Sequence, residues 1–177
     1  MIIDSSSLII FAKLNKLDIL LKLYENIDIT KEIYKETVQE GLIIEAPDSK
    51  IIKECVENKK IKIIELKKEY EDFSAKLREK YYQLGIGESE SIALAIQEKE
   101  RIIIMDEKIG RQVCKLYGLK PIGSLRILLN AYKNNIVSES ELRDIINEMV
   151  KYKFRPGGDI LNEFWVIFEK IKKKRRH

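Results

Sequence analysis

Short runs of β-branched and apolar residues alternate with longer helical segments, and this alternation limits the fold more than any other feature of the chain. The runs are MIID, IDI, IKIIEL, RIIIM and LKPIG, which begin at residues 1, 27, 61, 101 and 119. Strands that are joined by helices pair in parallel, and the helices cover both faces of the sheet. The sequence therefore predicts the α/β class, with a central parallel sheet flanked by helices.

The helix boundaries are predicted from capping residues and glycines. Residues 5–7 are serines that offer N-cap hydroxyls to the first helix. A second helix is expected from Thr30 to near Gly41. A long charged helix at residues 67–84 should be ended by the glycines at positions 85 and 87, before the helix GESESIALAIQE.

No strand candidate follows position 123, and the remaining sequence is helical in pattern. LRILLNAYKNN is one helix, the capping box SESE opens a second at residues 138–141, and DILNEFWVIFEKIKKK forms a third after RPGG. We expect residues 1–123 to form the α/β domain and residues 124–177 a helical C-terminal extension. The apolar Phe164, Trp165 and Phe168 either pack on that domain or form a dimer surface, and packing is the expected use.

Composition excludes two classes of protein. The only His is at position 177, and Cys55 and Cys114 lack any CxxC spacing, which excludes a Cys/His metal site. No apolar run is long enough to span a bilayer, and a signal sequence has no room before Asp4. We therefore expect a soluble cytoplasmic protein with no membrane partner and with free thiols.

The positive charge is concentrated at the C-terminus. The last eight residues, KIKKKRRH, carry six Lys and Arg and no acid, while the rest of the chain has 27 basic and 29 acidic residues. Such a tail can hold phosphate backbones loosely, or it is a solvated helix end favoured by the helix dipole. The sequence leaves both interpretations open.

Two aspartates come directly after strands. Asp4 follows MII and Asp106 follows RIIIM, and ligands of parallel sheets bind outside the carboxyl ends of the strands. Both acids are therefore expected at one edge of the sheet, although each alone could be a helix cap. Glu88 and Glu90 open the helix that leads into residues 101–105, a connection that by itself would place them at the opposite edge, and the sequence leaves this point open. Positions two apart point to nearly opposite sides of a helix, so only one of these glutamates should face inward.

Four segments in this order carry a family resemblance: IIDSS, ITKEIYKETVQEG, GESESIALA, and IIIMDEKIGRQVCKLYGLKPIGSLRILLNAYKNNIV. The chain resembles the PIN-domain nucleases, and particularly the VapC-like branch in which a helical extension follows the domain. The resemblance implies three or four carboxylates that hold a divalent metal for phosphodiester hydrolysis.

Carried over to this sequence, that carboxylate cluster is Asp4, Glu36, Glu88 or Glu90, and Asp106. The third position is often aspartate in the family, and this chain has only glutamates there. Glu88 is favoured because Ala95, seven residues later, matches a small residue of the family, and Glu90 stays open. Ser6 matches a small hydroxyl residue beside the first acid. Lys108 and Arg111 are candidates for contacting phosphate and equally for ordinary surface charges.

The resemblance also implies the cofactor, the substrate and the partners. Carboxylate ligands suit Mg²⁺ or Mn²⁺, the substrate would be RNA, and relatives are commonly toxins that form homodimers and are held inactive by a small antitoxin. A catalytically weak binding module on the same fold is the main alternative. A receiver domain or an Asp-x-Asp phosphatase is disfavoured, because each needs a second acid near Asp4 where this chain has serines.

Overall fold

The computed structural model describes residues 1–152, 154, 156 and 158–175. In this part of the chain five strands form one parallel sheet in the order β3-β2-β1-β4-β5. The strands are β1 (Ile2–Ile3), β2 (Ile27–Ile29), β3 (Ile61–Ile63), β4 (Ile102–Ile104) and β5 (Lys120–Ile122). The predicted α/β class, with a central parallel sheet flanked by helices, is confirmed.

Helices connect the strands and cover the sheet, because each apolar face must be removed from water. They are α1 (Ser5–Lys13), α2 (Leu17–Leu23), α3 (Lys31–Tyr34), α4 (Glu40–Ile43), α5 (Pro47–Glu57), α6 (Lys68–Lys80), α7 (Ile86–Gln97), α8 (Lys108–Leu116), α9 (Ser124–Lys133), α10 (Glu139–Lys151) and α11 (Gly158–Arg175). No described helix is both long enough and apolar enough to cross a membrane.

The strand order reverses between β1 and β4, which lie side by side in the sheet. Ile2 pairs with Ile103, and the backbone N–H of Asp4 donates to the carbonyl of Ile104 at 3.0 Å. The chain moves outward through β2 and β3 on one side of β1, and through β5 on the other. The carboxyl ends of β1 and β4 therefore border the crevice in which open parallel sheets bind ligands.

A π-helical turn, Lys35–Gln39, joins α3 to α4 and makes the three segments one helix. This helix continues beyond Gly41 to Ile43, so the predicted end near Gly41 was early. The hydroxyl of Thr37 donates to the carbonyl of Ile33 at 2.7 Å inside the turn. Turns of this kind bulge outward and often occur at functional sites, and this one carries Glu36.

Two predicted boundaries were wrong. The cap of α1 is Asp4, whose carboxylate accepts from the backbone N–H of Ser7 at 2.9 Å, and not a hydroxyl of residues 5–7. The charged helix α6 stops at Lys80, before the two glycines expected to end it. Gly85 is instead the N-cap of α7, and Gly87 lies inside that helix.

The C-terminal helices pack on the α/β core through aromatic side chains. Phe164 and Phe168 of α11 are buried in the same core cluster as residues of the sheet, and the ring of Phe168 lies 4.8 Å from that of Tyr132 in α9. Glu139 binds Lys172 at 2.8 Å and ties α10 to α11. The capping box at Ser138 is confirmed. Arg155 and Gly157 of RPGG, and Arg176 and His177 of the basic tail, lie outside the described residues.

Candidate functional site

Asp106 follows β4, and its carboxylate is held by hydroxyl and amide donors from two other elements. Ser7 Oγ donates to Asp106 Oδ2 at 2.8 Å, and Ser124 donates to the same carboxylate through its backbone N–H at 2.9 Å and its hydroxyl at 2.5 Å. Ser7 belongs to α1 after β1, and Ser124 begins α9 after β5. Three neighbouring strand ends therefore fix the orientation of this acid.

Asp4 lies beside Asp106 and is 1% exposed. Its Oδ1 accepts from the N–H of Ser7, and its Oδ2 accepts from Ser6 Oγ at 3.1 Å and from the N–H of Asp106 at 3.4 Å. Burial, opposed by the bonds from Ser7 and reinforced by the charge of Asp106, raises the pKa of Asp4 from 3.8 to about 6. A cation at this position would relieve the same repulsion.

Glu88 reaches the same edge from the first turn of α7. The helix runs antiparallel to β4, so its start lies at the carboxyl edge of the sheet near Asp4, and not at the opposite edge that the connection alone suggested. Burial raises the pKa of Glu88 from 4.5 to about 7, helped by the charges of Asp4, Glu107 and Glu36. Its Oε2 is buried and has no hydrogen-bond partner among the described residues. A Cβ on Gly110 would lie 3.1 Å from that oxygen, so the glycine leaves it room.

Glu36 lies in the π turn, and its carboxylate is close to the first turn of α7. Its two carboxylate oxygens lie 2.7 and 2.9 Å from the point that a Cβ on Gly87 would occupy. Gly87 directly precedes Glu88, so the carboxylate of Glu36 lies beside the turn of α7 that carries Glu88. Their proximity is also the reason that the charge of Glu36 contributes to the raised pKa of Glu88.

Glu90 is directed to a different neighbourhood. Burial raises its pKa, while a hydrogen bond from Thr30 and the charge of Arg78 oppose the rise and the charge of Glu32 adds to it. Asp4 and Asp106 do not contribute. The structure therefore places Asp4 beside Asp106 and Glu88 near both Asp4 and Glu36, and it directs Glu90 to Thr30 and Glu32.

A cleft with a volume of about 1460 Å³ includes Asp106 and is lined further by residues of α8, β5 and α11. Ser6 and Asp106 line its acidic end, and Lys108 and Arg111 line it just beyond. Arg111 donates to the carbonyl of Met105 at 2.8 Å. A Cβ on Gly123 would lie 3.3 Å from the same guanidinium nitrogen and 2.8 Å from Asp106 Oδ1, so Arg111 and Asp106 are close neighbours.

The donor set can be tested against a divalent metal. Within the described residues no three Asp, Glu, Cys or His side chains are close enough to hold one ion together. Mg²⁺ is usually bound through only one or two carboxylates and keeps several waters, and it prefers oxygen ligands. The paired aspartates and the unpartnered Oε2 of Glu88 fit that mode of binding. The described residues do not fit a site in which protein ligands alone complete the coordination of the metal.

The sequence reasoning missed two residues that hold the acids, Ser7 and Ser124. Ser124 follows β5 and Gly123 at the same edge as Asp4 and Asp106, so the rule that identified the aspartates could have identified it. Ser7 is at the third position of α1, where its N–H faces the cap. Nothing in the sequence indicates that its hydroxyl reaches Asp106.

The chain was compared with known proteins and with protein-family models. No curated protein matches the chain at a significant level. The DUF3368 family model, described as a PIN domain, matches residues 1–170 and thus nearly the whole chain. PIN domains are generally nucleases that act on nucleic acids with divalent metals. Because this match covers nearly the whole chain, the chain belongs to the PIN-domain family.

Proposed function

We propose that the protein is a metal-dependent endoribonuclease that hydrolyses RNA phosphodiester bonds with Mg²⁺ or Mn²⁺. The observation that supports this most is the crowding of acids at the carboxyl edge of the sheet, where Asp106 also lines the cleft. Asp4 and Glu88 have pKa values raised to about 6 and about 7, each partly by other carboxylates. A divalent cation offsets that repulsion, and crowded acids without one are costly to keep.

Each residue has a distinct task in this proposal. Asp4 and Asp106 would hold the metal from the strand ends, and Glu88 from α7 and Glu36 from the π turn would be its further acidic neighbours. When bound, the metal lowers the pKa of water and stabilises the leaving oxygen. Ser6, Ser7 and Ser124 keep the aspartate oxygens fixed through the hydrogen bonds described above, so that little reorganisation is needed on binding.

Lys108 and Arg111 lie next along the cleft and would bind the phosphate of the strand. Lys108 is exposed at the start of α8, and Arg111 is half-buried one turn later. A guanidinium can form two hydrogen bonds with a phosphate, whereas an ammonium acts as a point charge. Arg111 is therefore the better candidate for orienting the scissile phosphate.

The test is cleavage of a mixed single-stranded RNA pool by wild-type protein with Mn²⁺, by the same protein with EDTA, and by Asp4→Asn. Glu88→Gln and Glu90→Gln form a matched pair, because both remove one charge from the same helix. We expect cleavage to need Mn²⁺, Asp4 and Glu88 and to survive Glu90→Gln. Cleavage that persists in EDTA or in Asp4→Asn would refute the proposal.

The alternative is a PIN-fold module that binds RNA or protein without useful catalysis, which is favoured by the lack of three converging ligands in the described residues. Thermal unfolding separates the two functions, since a ligand that binds only the folded state raises its melting temperature. We expect Mn²⁺ to raise the melting temperature of wild type and not of Asp106→Asn. No shift in either protein would favour the module.

We also propose that the protein is a cytoplasmic, VapC-like toxin that acts as a homodimer and is inhibited by a small antitoxin. The support is the resemblance of its motifs to that branch. Expression alone should slow growth, and a small reading frame beside the gene should relieve the effect. Light scattering should give twice the monomer mass. Normal growth or a monomeric mass would refute the corresponding part.

A further inference from the structure

The cleft beyond the acids has two walls of opposite chemistry. Lys108, Arg111 and Lys115 of α8 and Lys120 of β5 line one wall. A second set of described lining residues provides the other wall, and its apolar members are Tyr152, Phe154, Pro156, Ile160, Phe164 and Ile167. Glu163 is the one charged residue in the described part of that second wall. Basic and apolar side chains thus line the same cleft.

Two lysines of the basic wall form no ion pair with the described residues. Lys115 and Lys120 are exposed, and neither forms an ion pair within 4.0 Å with a carboxylate of the described residues. Lysines on other faces, such as Lys22, Lys31 and Lys68, do pair with acids. Unpaired cations in a line are the electrostatic pattern that binds a phosphate backbone.

The apolar wall is accessible from the cleft. Tyr152 is 48% exposed and Ile160 is 56% exposed, and both line the cleft together with the buried Phe164. The wall is held in place because α11 is anchored by Phe168 and by the Lys172–Glu139 ion pair. Exposed aromatic and aliphatic surface next to a basic wall suits the faces of unpaired bases.

We propose that this cleft binds a single strand of RNA, with its phosphates on α8 and β5 and its bases against Tyr152, Phe154, Pro156 and Ile160. The C-terminal extension then has a function in substrate binding and selects for unpaired bases. A volume of about 1460 Å³ exceeds the usual range for small-molecule pockets, about 300–1,000 Å³, and suits a polymer. This proposal rests on the proposed ribonuclease function, because the acidic end of the cleft would cut the strand it binds.

The experiment measures binding of full-length protein to a fluorescent single-stranded RNA in EDTA, where metal-dependent cleavage is suppressed. For the basic wall, Lys115→Gln/Lys120→Gln is compared with Lys50→Gln/Lys133→Gln, which removes two exposed charges outside the cleft. We expect the first variant alone to bind less tightly, with a salt slope smaller by about 0.7 for each phosphate that the protein no longer neutralises.

For the apolar wall, Tyr152→Ala and Ile160→Ala are compared with Val150→Ala and Val166→Ala, which truncate side chains 54% exposed outside the cleft. Tyr152→Ala should weaken binding about 5- to 100-fold if it stacks on a base, Ile160→Ala should weaken it less, and neither should change the salt slope. With an abasic oligomer of the same length, Tyr152→Ala should bind like wild type.

If neither the basic-wall variant nor the apolar-wall variants changed RNA binding, or if duplex RNA bound as tightly as single-stranded RNA, the proposal would be overturned. The cleft would then be expected to bind another partner, such as a protein. The two proposals fail separately. If cleavage depends on Asp4 but binding is unchanged by the wall substitutions, only the proposed RNA-binding cleft is refuted. If the wall substitutions weaken binding but the protein does not cleave RNA, only the proposed nuclease activity is refuted.

Discussion

Replacing Asp4 with Asn should stabilise the metal-free protein at alkaline pH, although it removes a residue of the candidate site. Asp4 is almost fully buried next to Asp106, and its pKa is raised from 3.8 to about 6. A difference of this size corresponds to about 3 kcal/mol of unfavourable free energy when the carboxylate is ionised in the folded state. Without a metal, ionised Asp4 thus opposes folding.

The direction of the pH dependence follows from proton binding. Between pH 3.8 and about 6 the folded protein holds a proton on Asp4 that the unfolded chain has released. The free energy of unfolding therefore falls as pH rises through this range. Asn cannot ionise, and it is itself a good N-cap that can accept from the N–H of Ser7. Some stabilisation is lost because Asn accepts fewer hydrogen bonds than the carboxylate, about 1 kcal/mol.

Urea unfolding in EDTA, followed by the fluorescence of Trp165, measures the effect at pH 4 and at pH 8. Asp4→Asn should exceed wild type by about 2 kcal/mol at pH 8 and lose that advantage at pH 4. Asp18→Asn is the control, because Asp18 lies on the surface in an exposed pair with Lys22 and should change stability little at either pH. An Asp4→Asn protein that is less stable than wild type at pH 8, or equally altered at both, would refute the reasoning.

Three further substitutions test the surroundings of the acids by urea unfolding. Gly110→Ala places a Cβ 2.6 Å from the sulfur of Met105 and 3.1 Å from Glu88 Oε2, so stability should fall by about 1–3 kcal/mol, and an unchanged midpoint would mean that the acid is not confined there. Ser124→Ala removes the hydroxyl bond to Asp106 and should cost about 1.5–3 kcal/mol, whereas Ser140→Ala, on the surface, is the control. Phe168→Ala should cost about 3–5 kcal/mol, and a smaller loss would show that α11 contributes little to the core.

The strands and the paired aspartates could be predicted because they depend on local patterns. Each strand is a short run of isoleucines or similar residues, and parallel strands have their carboxyl ends at one edge. Asp4 and Asp106 therefore lie together although about a hundred residues separate them in sequence. The basic and apolar walls of the cleft could not be predicted in this way, since they depend on how α11 packs across the sheet.

The π turn and the hydrogen bonds of Ser7 and Ser124 could not be predicted from the sequence for a different reason. A π turn inserts a residue into a helix without a sequence signature of its own, and it determines the direction in which Glu36 projects. Ser7 and Ser124 are small hydroxyl residues of the kind that caps many helices. Their bonds to Asp106 depend on the relative placement of three elements, which local patterns do not specify.

The difference between Glu88 and Glu90 has a physical cause in the packing of α7. Positions two apart differ by about 200° around a helix axis, so the sequence could indicate that one glutamate faces the aspartates. It could not indicate which, because α7 is buried on most sides and has no single apolar stripe to define its rotation. In the fold, Glu88 Oε1 faces the N–H of Gly85 and Oε2 stays buried without a partner among the described residues. That oxygen is costly to bury alone, and the proposed metal would offset this cost at Glu88 and not at Glu90.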